Sequence, residues 1–179
     1  NTEIILACDN DPHVKESYLA NYHIKDKDFY DDVGESSLNA KKYKYKVDLL
    51  VGGSPCQSFS MVGERKGFED TRGTLFYDFA RVISECKPKI FIFENVKGLV
   101  SHDNGNTWSR IQEVFKDLGY HTSSEILNSK HFGVPQNRNR IFVVGFRKSK
   151  WLSEFRMPAR IPLETSMQDY LEDYADSKY

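Results

Sequence analysis

Four short apolar runs recur along the chain: Ile4-Ile5-Leu6-Ala7, Val47-Asp48-Leu49-Leu50-Val51, Ile90-Phe91-Ile92-Phe93 and residues 141–146. Each is too short for a core helix and rich in branched or aromatic side chains, so each reads as a strand. Stretches with helical spacing lie between them. Pro12 can open a helix with Val14, Tyr18 and Leu19 as its apolar face, residues 74–86 place Leu75, Phe76, Phe79, Val82 and Ile83 at core positions, and residues 108–118 stop at Gly119. Further strands are predicted near Phe29-Tyr30 and over 121–127. This alternation predicts an α/β fold with a mostly parallel sheet. The run at 47–51 reads as a buried strand stopped by Gly52-Gly53, and the wholly apolar run at 90–93 predicts a strand buried on both faces.

A chain of 179 residues suffices for one domain. The catalytic pattern occupies residues 1–150, and 151–179 form a weakly patterned tail. No apolar run approaches the roughly 18 residues that cross a membrane. Cys8, Cys56 and Cys86 are too few and too scattered for a disulfide framework. With five dispersed histidines they form no metal-site spacing, so no metal is expected and a reduced, cytoplasmic protein is the simplest reading. The net charge of −1 argues against a non-specific nucleic-acid coat but leaves room for a local DNA-binding patch.

Ligands of open α/β sheets bind beyond the carboxyl ends of the strands. Three polar clusters are expected there: Asp9, Ser54-Pro55-Cys56-Gln57 and Glu94-Asn95-Val96. Cys8 and Cys86 read as small buried hydrophobes. Cys56 sits instead among glycines, a proline and polar residues, and it opens a long loop over 57–73 punctuated by Gly63, Gly67 and Gly73. A thiol at such a turn is placed for nucleophilic attack. Arg138 and Arg140 are two apart, so both point to one face if the strand begins there.

Gly53-Ser54-Pro55-Cys56-Gln57-Ser58-Phe59-Ser60 resembles the nucleophile motif of the cytosine-5 DNA methyltransferases. Glu94-Asn95-Val96 and Gln136-Asn137-Arg138-Asn139-Arg140 resemble two further motifs of that family, in the family's order. The stretches around Lys66 to Phe76 and Ser101 to Thr107 are similar to its bacterial restriction–modification members. The resemblance implies a Rossmann-like fold that binds S-adenosylmethionine. It implies Cys56 as the covalent nucleophile, Glu94 as the acid facing ring nitrogen 3, and Arg140, with Arg138 close by, as donor to the cytosine carbonyl. It assigns Asp9 to the cofactor's ribose and places Asn10, Asp32, Val33, Pro55 and Leu75 around the rest of the cofactor. Asn10 departs from the bulky apolar residue that relatives often carry there.

Cytosine carbon 6 is hidden inside a duplex, so the base must be flipped out and covered. A basic loop beside the nucleophile suits that role. Arg65, Lys66 and Arg72, with Gln57, Ser60, Gly63 and Val96, make up the expected DNA-binding set. The family's glycine-rich cofactor loop and target-recognition region find no counterpart, so the chain is expected to be part of a longer enzyme and inactive alone. Duplex DNA is the expected partner, with monomeric action and a cognate restriction endonuclease at the same site. An RNA-directed relative, a catalytically silent binder and a thiol hydrolase with a histidine beside Cys56 are the alternatives.

Overall fold

The computed structural model describes residues 2–34, 36–54 and 75–171. Six strands lie among these: β1 Ala7–Cys8, β2 Phe29–Tyr30, β3 Leu49–Gly52, β4 Ile90–Val96, β5 His121–Asn128 and β6 Asn139–Phe146. Four α-helices accompany them, besides short 3-10 turns: α1 Pro12–Asn21, α2 Leu75–Cys86, α3 Asn106–Asp117 and α4 Ser149–Glu154. Strands β1 and β2 pair in parallel as a separate two-stranded sheet, with Ala7 opposite Phe29. The larger sheet has the order β3-β4-β6-β5.

The larger sheet corrects the expectation of a mostly parallel one. Only β3 and β4 run parallel in it; β6 is antiparallel to both β4 and β5, so the sheet is mixed. The connection explains the reversal. Residues 129–138 join β5 directly to β6, and an antiparallel return needs no crossover helix. Asn128 ties this connection down: its Nδ2 donates to the Asn137 and Asn139 side chains at 2.7 and 3.0 Å. The Ser129 hydroxyl donates to the Gln136 carbonyl at 2.5 Å.

Helices α2 and α3 cover one face of the larger sheet. Phe76, Phe91, Phe93 and Phe115 are almost fully buried there, and the Phe91 and Phe115 rings stand 4.6 Å apart. Each such side chain contributes roughly 1.5–3 kcal/mol by leaving water. Gly145 lies opposite Phe91 in the register, and a Cβ there would collide with the Phe91 ring. Glycine is what allows that ring to lie close over β6.

The opposite face is only partly covered among the described residues: Val144 and Phe146 of β6 are buried there, with Phe155 after α4 packed on Phe146, while the β3 and β4 side is more open. Leu49 and Val51 are 50% and 63% exposed, and Ile90 and Ile92 are half-buried. Full burial of Ile90–Phe93 on both faces is therefore also corrected, because α2 and α3 share one side and the α4 segment on the other side packs against Phe146 of β6, leaving Ile90 and Ile92 half-buried. Helix α1 buries no residue. It starts where it does because Pro12 fits the first turn and the Asp11 carboxylate accepts from the His13 N–H at 2.8 Å. In the tail, Phe155 packs on Phe146 at 5.1 Å and Ile161 bridges to Phe132. Among the described residues no helix is long and apolar enough to cross a membrane.

Candidate active site

The ends of β3 and β4 and the start of β6 meet at one place. Register places Glu94 opposite Phe142 and Val96 opposite Arg140, so Glu94 and Arg140 are diagonal neighbours on the more open face. Arg140 Nε lies 2.9 Å from Glu94 Oε1, with the side chains 22% and 36% exposed. The pair is thus shielded but still reachable by a substrate. Arg140 Nη1 donates to the Asn139 carbonyl at 2.9 Å. The guanidinium is held at both of these points, and its fork has further N–H groups to offer.

Gly53 reaches the same place from β3. A Cβ on it would stand 2.6 Å from the Glu94 carbonyl oxygen and 3.3 Å from Glu94 Oε2. Any side chain would push the end of β3 off the end of β4. Asn95 completes the junction, donating from Nδ2 to the Ser54 carbonyl at 2.7 Å. The sequence marks Asn95 only as part of a motif. The signal that could have singled it out is a lone amide in a strand whose neighbours on the same face, Phe91 and Phe93, are fully buried. The Ser54 hydroxyl is buried with no hydrogen-bond partner among the described residues.

Cys56, Pro55, Gln57, Ser60, Gly63, Arg65, Lys66 and Arg72 lie outside the described residues, as does the rest of the 57–73 loop. Arg138 is exposed and precedes the first residue of β6. Its carbonyl accepts from the Ser129 N–H at 3.2 Å, next to the pairing of β5 and β6, and of the two arginines it is Arg140 that pairs with Glu94. Val96 is half-buried, and its N–H donates to the Asn95 side chain at 2.9 Å.

The smaller sheet gathers carboxylates. Asp9 follows β1, Asp31 and Asp32 follow β2, and the Asp9 N–H donates to the Tyr30 carbonyl at 3.1 Å. Asp9 and Asp32 each accept one local backbone N–H at 2.9 Å, from Asp11 and Gly34. Asn10 is exposed, and Leu75 opens α2 at 41% exposure. Val33 is half-buried, with its carbonyl held by the Arg81 guanidinium. The Cys8 thiol reports the local field. Burial, then the charges of Asp32, Asp9 and Asp31, push its pKa up to about 11. Burial and Glu85 likewise push Cys86 up to about 11, against the opposing charge of Arg81. Both are protonated at neutral pH and unsuited to nucleophilic attack. Acceptors at two adjacent strand ends, in a field of negative charge, fit the hydroxyls of a ribose and the positive charge of a sulfonium. Among the described residues no group of three or more His, Cys, Asp or Glu side chains could hold a metal.

The whole chain, residues 1–179, matches the family described as C-5 cytosine-specific DNA methylase. It is 39% identical over 205 residues to the orphan methyltransferase M.SPRI of Bacillus phage SPR, covering 99% of this chain and 46% of that protein. It is 42% identical to the type II methyltransferase M.SsoII of Shigella sonnei, covering 98% and 45%. The fold is similar to the crystal structure of the S. pombe Dnmt2 methyltransferase, with a TM-score of 0.67 at 22% identity, covering 97% of this chain and 53% of that one. The chain thus spans about half the length of the relatives it matches.

Proposed function

The chain belongs to the C-5 cytosine-specific DNA methylase family, and from that membership we propose that the protein methylates carbon 5 of a flipped-out cytosine in duplex DNA through a covalent adduct at Cys56. One observation carries the reading: the Glu94–Arg140 pair at 2.9 Å adjoins Gly53-Ser54, the residues that lead into Cys56.

Carbon 5 of cytosine is too poor a nucleophile to take a methyl group unaided. In the proposed reaction the Cys56 thiolate adds to carbon 6, and the electron pair of the 5,6 double bond moves into the ring. Glu94 in its protonated form hydrogen-bonds ring nitrogen 3 and gives it a proton as that electron pair arrives there, leaving an enamine with a nucleophilic carbon 5. Arg140 donates to the carbonyl oxygen and stabilises the charge developing on the ring from the other side. Asp9 and Asp32, with Asn10, Val33, Pro55 and Leu75 around them, would hold S-adenosylmethionine, whose methyl–sulfur bond would break as carbon 5 takes the methyl group and S-adenosylhomocysteine leaves. Loss of the carbon 5 proton to a base then expels the Cys56 thiolate and restores the double bond. Arg65, Lys66 and Arg72, with Gln57, Ser60, Gly63 and Val96, hold the DNA and cover the flipped base.

The reading extends to a monomer acting in the cytoplasm. It also extends to a restriction–modification setting with a cognate endonuclease, as the type II name of the Shigella sonnei relative suggests.

The test mixes the full-length protein with S-adenosylmethionine and a random-sequence pool of duplexes carrying 5-fluorocytosine. Fluorine at carbon 5 blocks the final elimination, so the attacking thiol stays attached. The expected result is a denaturation-resistant protein–DNA adduct that disappears in Cys56→Ser. An adduct formed with RNA alone would overturn the choice of substrate, and no adduct on either would overturn the reaction.

A further inference from the structure

Alternation along β4 turns Glu94 to the more open face of the sheet and Asn95 to the face covered by α2 and α3. Asn95 is only 3% exposed there. An amide buried so far must satisfy both its donor and its acceptor. It does so at two separate places. Nδ2 donates to the Ser54 carbonyl at 2.7 Å, and Oδ1 accepts from the Val96 N–H at 2.9 Å. The first bond crosses from β4 to the chain leaving β3. The second fixes the exit of β4 itself.

Gly53 lies so close to the Glu94 backbone that a Cβ there would collide with the Glu94 carbonyl. The Gly53-Ser54 segment therefore lies against the end of β4, where the Asn95 side chain bonds it. Cys56 is two residues further on. An apolar residue at position 95 would leave the Ser54 carbonyl without this donor, and a carboxylate would set like charge against it. Only an amide of this length serves both partners.

We infer that Asn95 is a positioning residue for the covalent step. On this view it touches neither base nor thiol, but fixes the root of the Cys56 segment relative to Glu94. The attacking group and the acid thereby meet the ring in one geometry. The inference rests on the reaction proposed above. A misplacement of about 1 Å is enough to cost about 10²-fold in rate.

The experiment uses the full-length protein and its Asn95→Asp and Asn95→Ala variants. It measures the rate of 5-fluorocytosine adduct formation at saturating duplex and cofactor, together with duplex affinity and thermal melting. The expected result is an adduct rate lower by about 10²-fold with duplex affinity held within about twofold and cooperative melting preserved. In Asn95→Asp, the rate relative to the parent should recover as pH falls, because a protonated carboxyl can again donate to the Ser54 carbonyl. At neutral pH, adduct formation at the parental rate in both folded variants would overturn the inference. So would a rate loss matched by an equal loss of affinity, or loss of cooperative melting in both variants, which would make Asn95 a structural residue only. A parent that forms no Cys56-dependent adduct removes the reaction itself and this role with it. A parent that forms one while both variants keep pace removes the role of Asn95 alone.

Discussion

The two sheets end in carboxylates that are held very differently. At the end of the larger sheet, Glu94 is fixed by strand pairing, by an ion pair to Arg140 and by the close approach of Gly53, above a core of packed phenylalanines. At the end of the smaller sheet, Asp9 and Asp32 follow strands of two residues each and take their side-chain hydrogen bonds from backbone N–H groups two residues away. One region is built to hold a geometry, as bond-making requires. The other presents acceptors on a light frame, which is enough to bind a ligand by its hydroxyls and charge.

The sharpest way to break this comparison is Glu94→Gln. The amide keeps the shape and cannot act as an acid. Methyl transfer at saturating substrates is expected to fall by about 10²–10⁴-fold with little change in melting, read by incorporation of labelled methyl groups. A fall of less than about tenfold would mean that the rigid end of the sheet is not where the chemistry occurs.

Phe115→Ala tests what makes that end rigid. Phe115 is fully buried and contacts the rings of Phe76, Phe91 and Phe93. Its loss should destabilise the fold by about 3–5 kcal/mol in chemical denaturation. A cost near zero would place the anchor elsewhere.

The smallest change concerns the lighter region. Asp32→Asn should raise the KM for S-adenosylmethionine by about tenfold, leaving kcat and melting near the parent. It should also lower the Cys8 pKa, since after burial Asp32 is the largest of the influences holding that thiol up towards about 11. Alkylation rate against pH reads this directly. The sign for stability is equally definite. Cys8 keeps its proton in the folded state while the unfolded thiol loses it, so its contribution is full below pH 9 and is lost as pH rises towards 11. The mutant should lose less stability over that window.

Much of the rigid region is legible in the sequence because its physics is periodic. The spacing of Phe76, Phe79, Val82 and Ile83 predicts α2, and Gly119 marks the end of α3. Strand direction is not legible. A strand such as Val143-Val144-Gly145-Phe146 is equally apolar read either way, so only the 129–138 return reveals that it runs antiparallel. The first strand lies at Ala7–Cys8 rather than 4–7, because apolar character does not say which residues find a partner, and Phe29-Tyr30 offers only two.

At the site, the polar residues ending β1, β3 and β4 stand out against apolar runs. Which of Arg138 and Arg140 meets the acid is not legible, because two arginines two apart do not say which lies diagonal to Glu94 across β4 and β6, and that residue is Arg140. The structural weight of Asn95 is hidden in the sequence because its partner is a backbone carbonyl 41 residues away.

The most direct measurement is a crystal structure of the full-length protein trapped on a 5-fluorocytosine duplex. The predicted result is a Cys56 Sγ–carbon 6 bond, with the Glu94 carboxyl at ring nitrogen 3 and the Arg140 guanidinium at the carbonyl oxygen. A base joined to Cys8 or Cys86, or one joined to Cys56 but remote from the Glu94–Arg140 pair, would contradict it.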